Sequence, residues 1–142
     1  AYPGGLCEHA LIVAHELGVL CNAYYPGRYT EEDVIKVALL KDIYKATMYE
    51  AYMKNVKDDT TGQWLTVPAY KTREANTRSV FGNAGLSSYM QIKKYVELTD
   101  EQIEAVIHSS PQSFDPDIHE VMRAYPLVTL TRMAEIAATY IN

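Results

Sequence analysis

Val37-Ala38-Leu39-Leu40-Lys41-Asp42-Ile43-Tyr44-Lys45 decides how this chain is read. An apolar helical run meets a lysine and an aspartate there. Val34, Val37, Ala38, Leu40 and Ile43 recur at helical spacing, and Leu39 broadens the apolar surface, as in a central helix. Upstream, Thr30 reads as an N-cap, with Glu31, Glu32 and Asp33 in the positively polarised first turn. The helix is expected from residue 31 to about residue 45. Asp42 and Lys45, three residues apart, then lie on nearly one face. Lys41 is an ammonium at neutral pH; it has no free lone pair and cannot ligate a metal.

Upstream of this helix, Leu6, Ala10, Val13, Leu17 and Leu20 predict a helix over residues 6–24, ended by Tyr25-Pro26-Gly27. Downstream, residues 49–56 and 64–70 read as two strands around a polar, turn-rich stretch at 57–63. They predict a hairpin inserted at about residues 49–70 and projecting from a helical body. Residues 71–83 are polar and aperiodic, and read as a loop. Helices resume near Leu86, with Tyr89, Ile92 and Val96 as one stripe. Thr99-Asp100-Glu101-Gln102 is a capping box ahead of Ile103, Val106 and Ile107. Residues 111–114 break the pattern, Asp115-Pro116 opens a short helix, and Pro126 starts a last one through Tyr140. The expected fold class is all-α, a single helical-bundle domain over residues 1–142 with a β-hairpin insertion.

A chain of 142 residues fits one domain around one core. Its net charge of -5 is opposite to that of a generic nucleic-acid binder, so nucleic acid is not an expected partner. Cys7 and Cys21 fall in one predicted helix, roughly 21 Å apart at about 1.5 Å per residue, too far for a disulfide. No apolar run is long enough to span a bilayer, and no secretory start is recognisable, so a membrane is not expected and a reducing cytoplasm is. Tyrosine is over-represented, 12 residues against one Trp and two Phe. Packing accounts for such an excess; so does a binding surface, because Tyr joins a stacking face to a hydroxyl.

Five stretches carry a resemblance. They are Gly4-Gly5-Leu6-Cys7-Glu8-His9-Ala10, the run from Val37 to Lys45, Asn55-Val56-Lys57-Asp58 with Trp64-Leu65-Thr66-Val67-Pro68, Tyr125-Pro126-Leu127-Val128, and Ala137-Ala138-Thr139-Tyr140. In this order they resemble a subgroup of the HD superfamily of metal-dependent phosphohydrolases, common in bacteria and their phages. The resemblance implies an HD-like bundle. It also implies ligand positions in the order His, His-Asp, two further His, then Asp, around a metal that activates water against a phosphate.

Carried over residue by residue, His9 stands at the first position and Lys41-Asp42 at the central pair. Asn83, in Gly82-Asn83-Ala84-Gly85, and Ser109 replace the next two histidines, and Glu135 replaces the last aspartate. His108 is one residue from the required register, about 100° around a helix, and is expected to point elsewhere. Lys45 borders the phosphate pocket in the resembled subgroup, and Tyr44 is expected to line it. Lys41 either pairs with Asp42 or Glu135 as a built-in cation or points to solvent. No cofactor is expected; a metal, if one bound, would take His9, Asp42 and Glu135.

Three readings follow. The first is a catalytically inactive HD-like protein binding a nucleotide or other phosphorylated small molecule through His9, Lys41, Asp42, Tyr44, Lys45, Asn83, Ser109 and Glu135. In a phage it would sequester a host signal or inhibit host defence from the host cytoplasm. The second is an active metal-dependent phosphohydrolase with atypical ligands. The third is a protein–protein module with a vestigial pocket, whose partner is a host protein or a second copy in a homo-oligomer. Arg73 and Arg78 are read as solvated charges or as a clasp over a phosphate. His15 and His119 are read as isolated histidines.

Overall fold

Thr30 and Asp33 satisfy one another's backbone donors. The Asp33 N–H donates to Thr30 Oγ1 at 3.2 Å and the Thr30 N–H donates to the Asp33 carboxylate at 2.8 Å. This box starts α2 (Glu31–Leu40) where the sequence predicts. In the computed structural model, which describes residues 2–74, 84–110 and 116–142, α2 follows α1 (Gly5–Tyr24). Two strands come next, β1 (Tyr49–Lys57) and β2 (Trp64–Thr72). Then come α3 (Ala84–Ile92), α4 (Asp100–Ile107), α5 (Ile118–Ala124) and α6 (Pro126–Tyr140). Pro126 occupies the first turn of α6, where its missing N–H costs nothing.

A second box, Thr99 with Gln102, starts α4, and the Gln102 side-chain amide donates to Asp33 at 2.7 Å. The N-termini of α2 and α4 are thereby joined. Glu101 extends the seam by accepting from the Tyr29 hydroxyl at 2.6 Å and from the Leu127 N–H at 3.2 Å. Behind the seam lies one apolar cluster. It takes Val13, Leu17 and Cys21 from α1 and Val34, Val37 and Ala38 from α2. Ala105 of α4 joins them, with Leu127, Val128, Leu130, Ala134 and Ala138 of α6. Burial, with help from the Asp33 and Glu101 charges, pushes the Cys21 thiol up to about 11, so it stays protonated at neutral pH.

Two expectations are corrected. The chain is not all-α: besides the helices it carries a two-stranded antiparallel sheet of nine-residue strands. Their aromatic and β-branched residues pair from Tyr49↔Thr72 to Lys57↔Trp64, so the hairpin is a full β element and the class is mixed. The central helix is also shorter than predicted. It ends at Leu40, Lys41 is its C-cap, and Asp42 (φ -108°, ψ 12°) turns the chain into a 3-10 segment, Ile43–Thr47. The last strand residues Lys71 and Thr72 extend β2 into what reads as loop.

α3 meets α4 at Gly85. A Cβ there would lie 2.0 Å from the Ile107 carbonyl oxygen, so the two backbones approach through a glycine. On an open helix Gly→Ala is stabilising; here the sign should reverse. Gly85→Ala is expected to lower unfolding free energy by about 1–3 kcal/mol, read as a reduced urea midpoint at unchanged slope.

Candidate functional site

Lys41 continues the buried stripe of α2, standing three residues after Ala38 and four after Val37. It is only 2% exposed and is the largest of the fully buried side chains. Its position at the helix C-terminus places the ammonium near the partial negative end of α2. The ammonium contacts the Asp42 carboxylate at 2.5 Å and the Glu135 carboxylate of α6 at 2.5 Å. On the far side of Glu135, His9 Nε2 of α1 lies 3.1 Å from both carboxylate oxygens. Lys45 reaches Asp42 at 3.2 Å, because the 3-10 turn stacks residues three apart. Two ammoniums thus face two carboxylates, and these four charges cancel.

Asp42 feels opposing effects. Burial pushes its carboxyl up, but the Lys41 and Lys45 charges and hydrogen bonds outweigh it and hold the pKa below the ordinary value. Tyr44, the next aromatic along, is raised by burial and by the Asp42 charge, so its phenol stays protonated.

The cluster forms part of the wall of a cavity of about 450 Å³. Lys41, Asp42, Tyr44, Lys45, Ser109 and Glu135 line it, as do Ser110, Ile136, Thr139 and Tyr140. A second, more apolar cleft of about 880 Å³ lies between the start of α1, the 3-10 segment and the hairpin base. Tyr2, Tyr49 and Tyr70 line it, and His9 and Lys45 border it.

The structure therefore gathers His9, Lys41, Asp42, Lys45 and Glu135 into one cluster and sets Tyr44 and Ser109 beside it. Ser109 is buried, and its hydroxyl donates to the Val106 carbonyl at 3.1 Å. Asn83 and Arg78 lie outside the described residues. His108 turns away, as its register predicts, and pairs with Glu104 at 3.1 Å. Arg73 donates to the Tyr49 carbonyl at 3.3 Å and braces the hairpin base. Sequence reasoning missed Ile136, Thr139 and Tyr140. They follow Glu135 by one, four and five residues, so a helical wheel drawn from Glu135 finds Thr139 directly.

His9, Asp42 and Glu135 each offer a ligand atom, all within 4.8 Å of one another, a donor set suited to a divalent ion. Lys41 makes the set unsuitable. A dication on the same oxygens would sit within about 5 Å of the ammonium, where a +2/+1 repulsion is roughly 7 kcal/mol at an effective dielectric of 20. The residues present do not fit a metal while Lys41 stays between the carboxylates. Comparison with family models, with curated proteins and with solved structures returned no match.

Removing the Lys41 charge should expose both properties. Lys41→Met removes the buried ammonium that Asp42 and Glu135 share, leaving them only the more exposed Lys45 and His9, and is expected to cost about 3–5 kcal/mol at neutral pH. The same variant should regain stability with added zinc or manganese, while wild type shows no metal-dependent shift in Tm. A variant as stable as wild type, or indifferent to metal, contradicts this account.

Asp42 sets a pH dependence. Its folded pKa is depressed, so its contribution is complete above the unfolded value near ~3.9 and is lost as pH falls through the folded value. The stability difference between wild type and Asp42→Asn is expected to stay flat down to about pH 5 and to shrink below about pH 4. Denaturant titrations of both proteins across that range check it.

Proposed function

We propose that this chain is a non-hydrolysing relative of the HD phosphohydrolases that binds a nucleotide or another phosphorylated small molecule in the Lys41–Glu135 cavity. The observation that carries the reading is the Lys41 ammonium held at 2.5 Å from both Asp42 and Glu135. It takes the charge role of a metal but cannot bind or activate water as a Lewis acid. Asp42, with its lowered pKa, is also a poor general base.

What remains can bind. The cavity volume of about 450 Å³ falls within the range of small-ligand pockets. Lys41 is neutralised by its two partners, whereas the Lys45 side chain is 30% exposed and reaches the cavity with donors to spare. An anionic group would take Lys45, with the Ser110 and Tyr44 side chains beside it. Neutral overall charge in the cluster favours a compact phosphate ester over a polyanion. A domain that binds without turnover holds its ligand stoichiometrically, which suits sequestration of a signalling nucleotide. The free thiols of Cys7 and Cys21 suit a reducing cytoplasm, and no helix among the described residues is long and apolar enough to cross a membrane.

Calorimetric titration with nucleoside monophosphates, cyclic dinucleotides, ribose 5-phosphate and inorganic phosphate is the test. One phosphorylated ligand is expected to bind at one site per chain, with no phosphate released even with added manganese. Lys45→Gln should weaken it by at least about tenfold, the value of one charge-assisted hydrogen bond. Silence across the panel overturns the ligand class, and metal-dependent turnover overturns the claim of inactivity.

A further inference from the structure

Among the described residues, the hairpin leaves one edge open. At its turn, the Asp58 N–H donates to the Gln63 carbonyl at 2.8 Å; at its base, the Arg73 N–H donates to the Met48 carbonyl at 2.9 Å. Bonded pairs alternate along an antiparallel ladder, so even-numbered residues of β1 bond inward to β2. The odd-numbered residues Ala51, Met53, Asn55 and Lys57 then turn their N–H and C=O groups outward. Tyr49 does too, but Arg73 already occupies its carbonyl. On β2 the outward positions include Pro68, paired with Met53, and its missing N–H blocks that edge. β1 has no such block.

The hairpin is also short of strands. A two-stranded ribbon is marginal in water, and three or more strands sharing an apolar face are needed for independent stability. Met53, 60% exposed, and Trp64, 71% exposed, share a face with Ala51, Pro68 and Tyr70.

We propose that two copies of this chain join through β1, antiparallel across a two-fold axis at Tyr52, into a four-stranded sheet. Charge selects the register. Centring the axis on Tyr52 sets Glu50 opposite Lys54 of the second copy, twice, in the non-bonded pairs where side chains approach most closely. Centring on Lys54 would oppose two lysines and set Glu50 against Asp58; centring on Met53 offers no opposite charges. Lys54 makes no ion pair within the chain among the described residues, so its ammonium is available, while Glu50 already pairs with Lys71 at 3.1 Å across its own hairpin and would take the second copy's Lys54 as a further cation. The bonded pairs are Ala51 with Met53 and Met53 with Ala51, which use the outward groups of both copies. Joining the ribbons also merges their apolar faces. The resulting interface is isologous and closed.

Sedimentation equilibrium of the full chain from micromolar to near-millimolar concentration tests the assembly. Its mass should rise from 16.0 kDa toward twice that value. Ala51→Pro removes an outward N–H and no bond of the hairpin itself, so it should give a monomer with unchanged circular dichroism. Glu50→Lys and Lys54→Glu should each weaken the dimer by at least about tenfold, and the double reversal should restore it. Hydrogen exchange gives an independent signature: the Ala51 and Met53 amides should become protected as concentration rises, while those of Tyr52 and Lys54 are protected throughout. A chain that stays at 16.0 kDa with freely exchanging outward amides overturns the proposal. So does a dimer indifferent to all three single substitutions.

Discussion

A lysine ammonium buried between two carboxylates governs this structure. Lys41 ends α2, Asp42 follows it, Glu135 comes from α6, and His9 of α1 holds the far side of Glu135. Three helices are therefore tied at one polar point beneath an otherwise apolar cluster. Such a pair is weak evidence of net stabilisation, because desolvation consumes most of the Coulombic gain. Its consequence is directional. Each member has a defined partner, so α2 and α6 are held in one register. Losing Lys41 takes a cation from both carboxylates at once, whereas losing either carboxylate leaves Lys41 one partner.

The same contacts explain why the cavity is polar yet uncharged overall. Glu135 is shared between Lys41 and His9, and Asp42 between Lys41 and Lys45. Lys45 is the member of this chain of contacts that reaches solvent most freely. It also lies 5.9 Å from the centre of the Tyr44 ring. A ligand can therefore gain a cation and an aromatic face without disturbing the buried pair. Reaching Lys41 itself would mean separating it from two carboxylates, a cost that a single phosphate group does not match. This ordering of accessible and inaccessible charge leaves Lys45, not Lys41, as the cation that a ligand in the cavity meets first.

Much of the scaffold was legible because the signals are local. Thr30 and Thr99 announce the starts of α2 and α4, Pro126 that of α6, and alternating residues around a polar turn announce the hairpin. The end of α2 was not legible: helical propensity runs on through Ile43 to Lys45, and tertiary contacts turn the chain at Asp42 instead. The class departs from the all-α expectation because the hairpin strands are nine residues each, long enough to count as a full β element. Within the site, His9, Asp42 and Glu135 were nameable through a resemblance, but their meeting is long-range and no periodicity encodes it. The burial of Lys41 did have a signal. Val34, Val37, Ala38 and Lys41 form one continuous stripe, so the helix register points this lysine inward whatever its charge.

The body and the hairpin treat polar groups in opposite ways. In the body, charges and caps close on one another: Asp33 with Thr30 and Gln102, Glu101 with Tyr29 and the start of α6, Lys41 with both its carboxylates. Among the described residues, the openings that remain include the cavity beside Lys45 and the apolar cleft at the start of α1. In the hairpin, a row of backbone donors and acceptors, the Lys54 ammonium and several apolar side chains face outward, and proline guards only one of its two edges. Burial forces closure in the first case, since an unpaired group there would cost the full desolvation penalty. At the hairpin, water meets that demand cheaply, and open groups persist without destabilising the chain. Two of the places open to other molecules follow from this contrast, a cavity where Lys45 sits beside a neutralised cluster and a strand edge that carries charges of both signs.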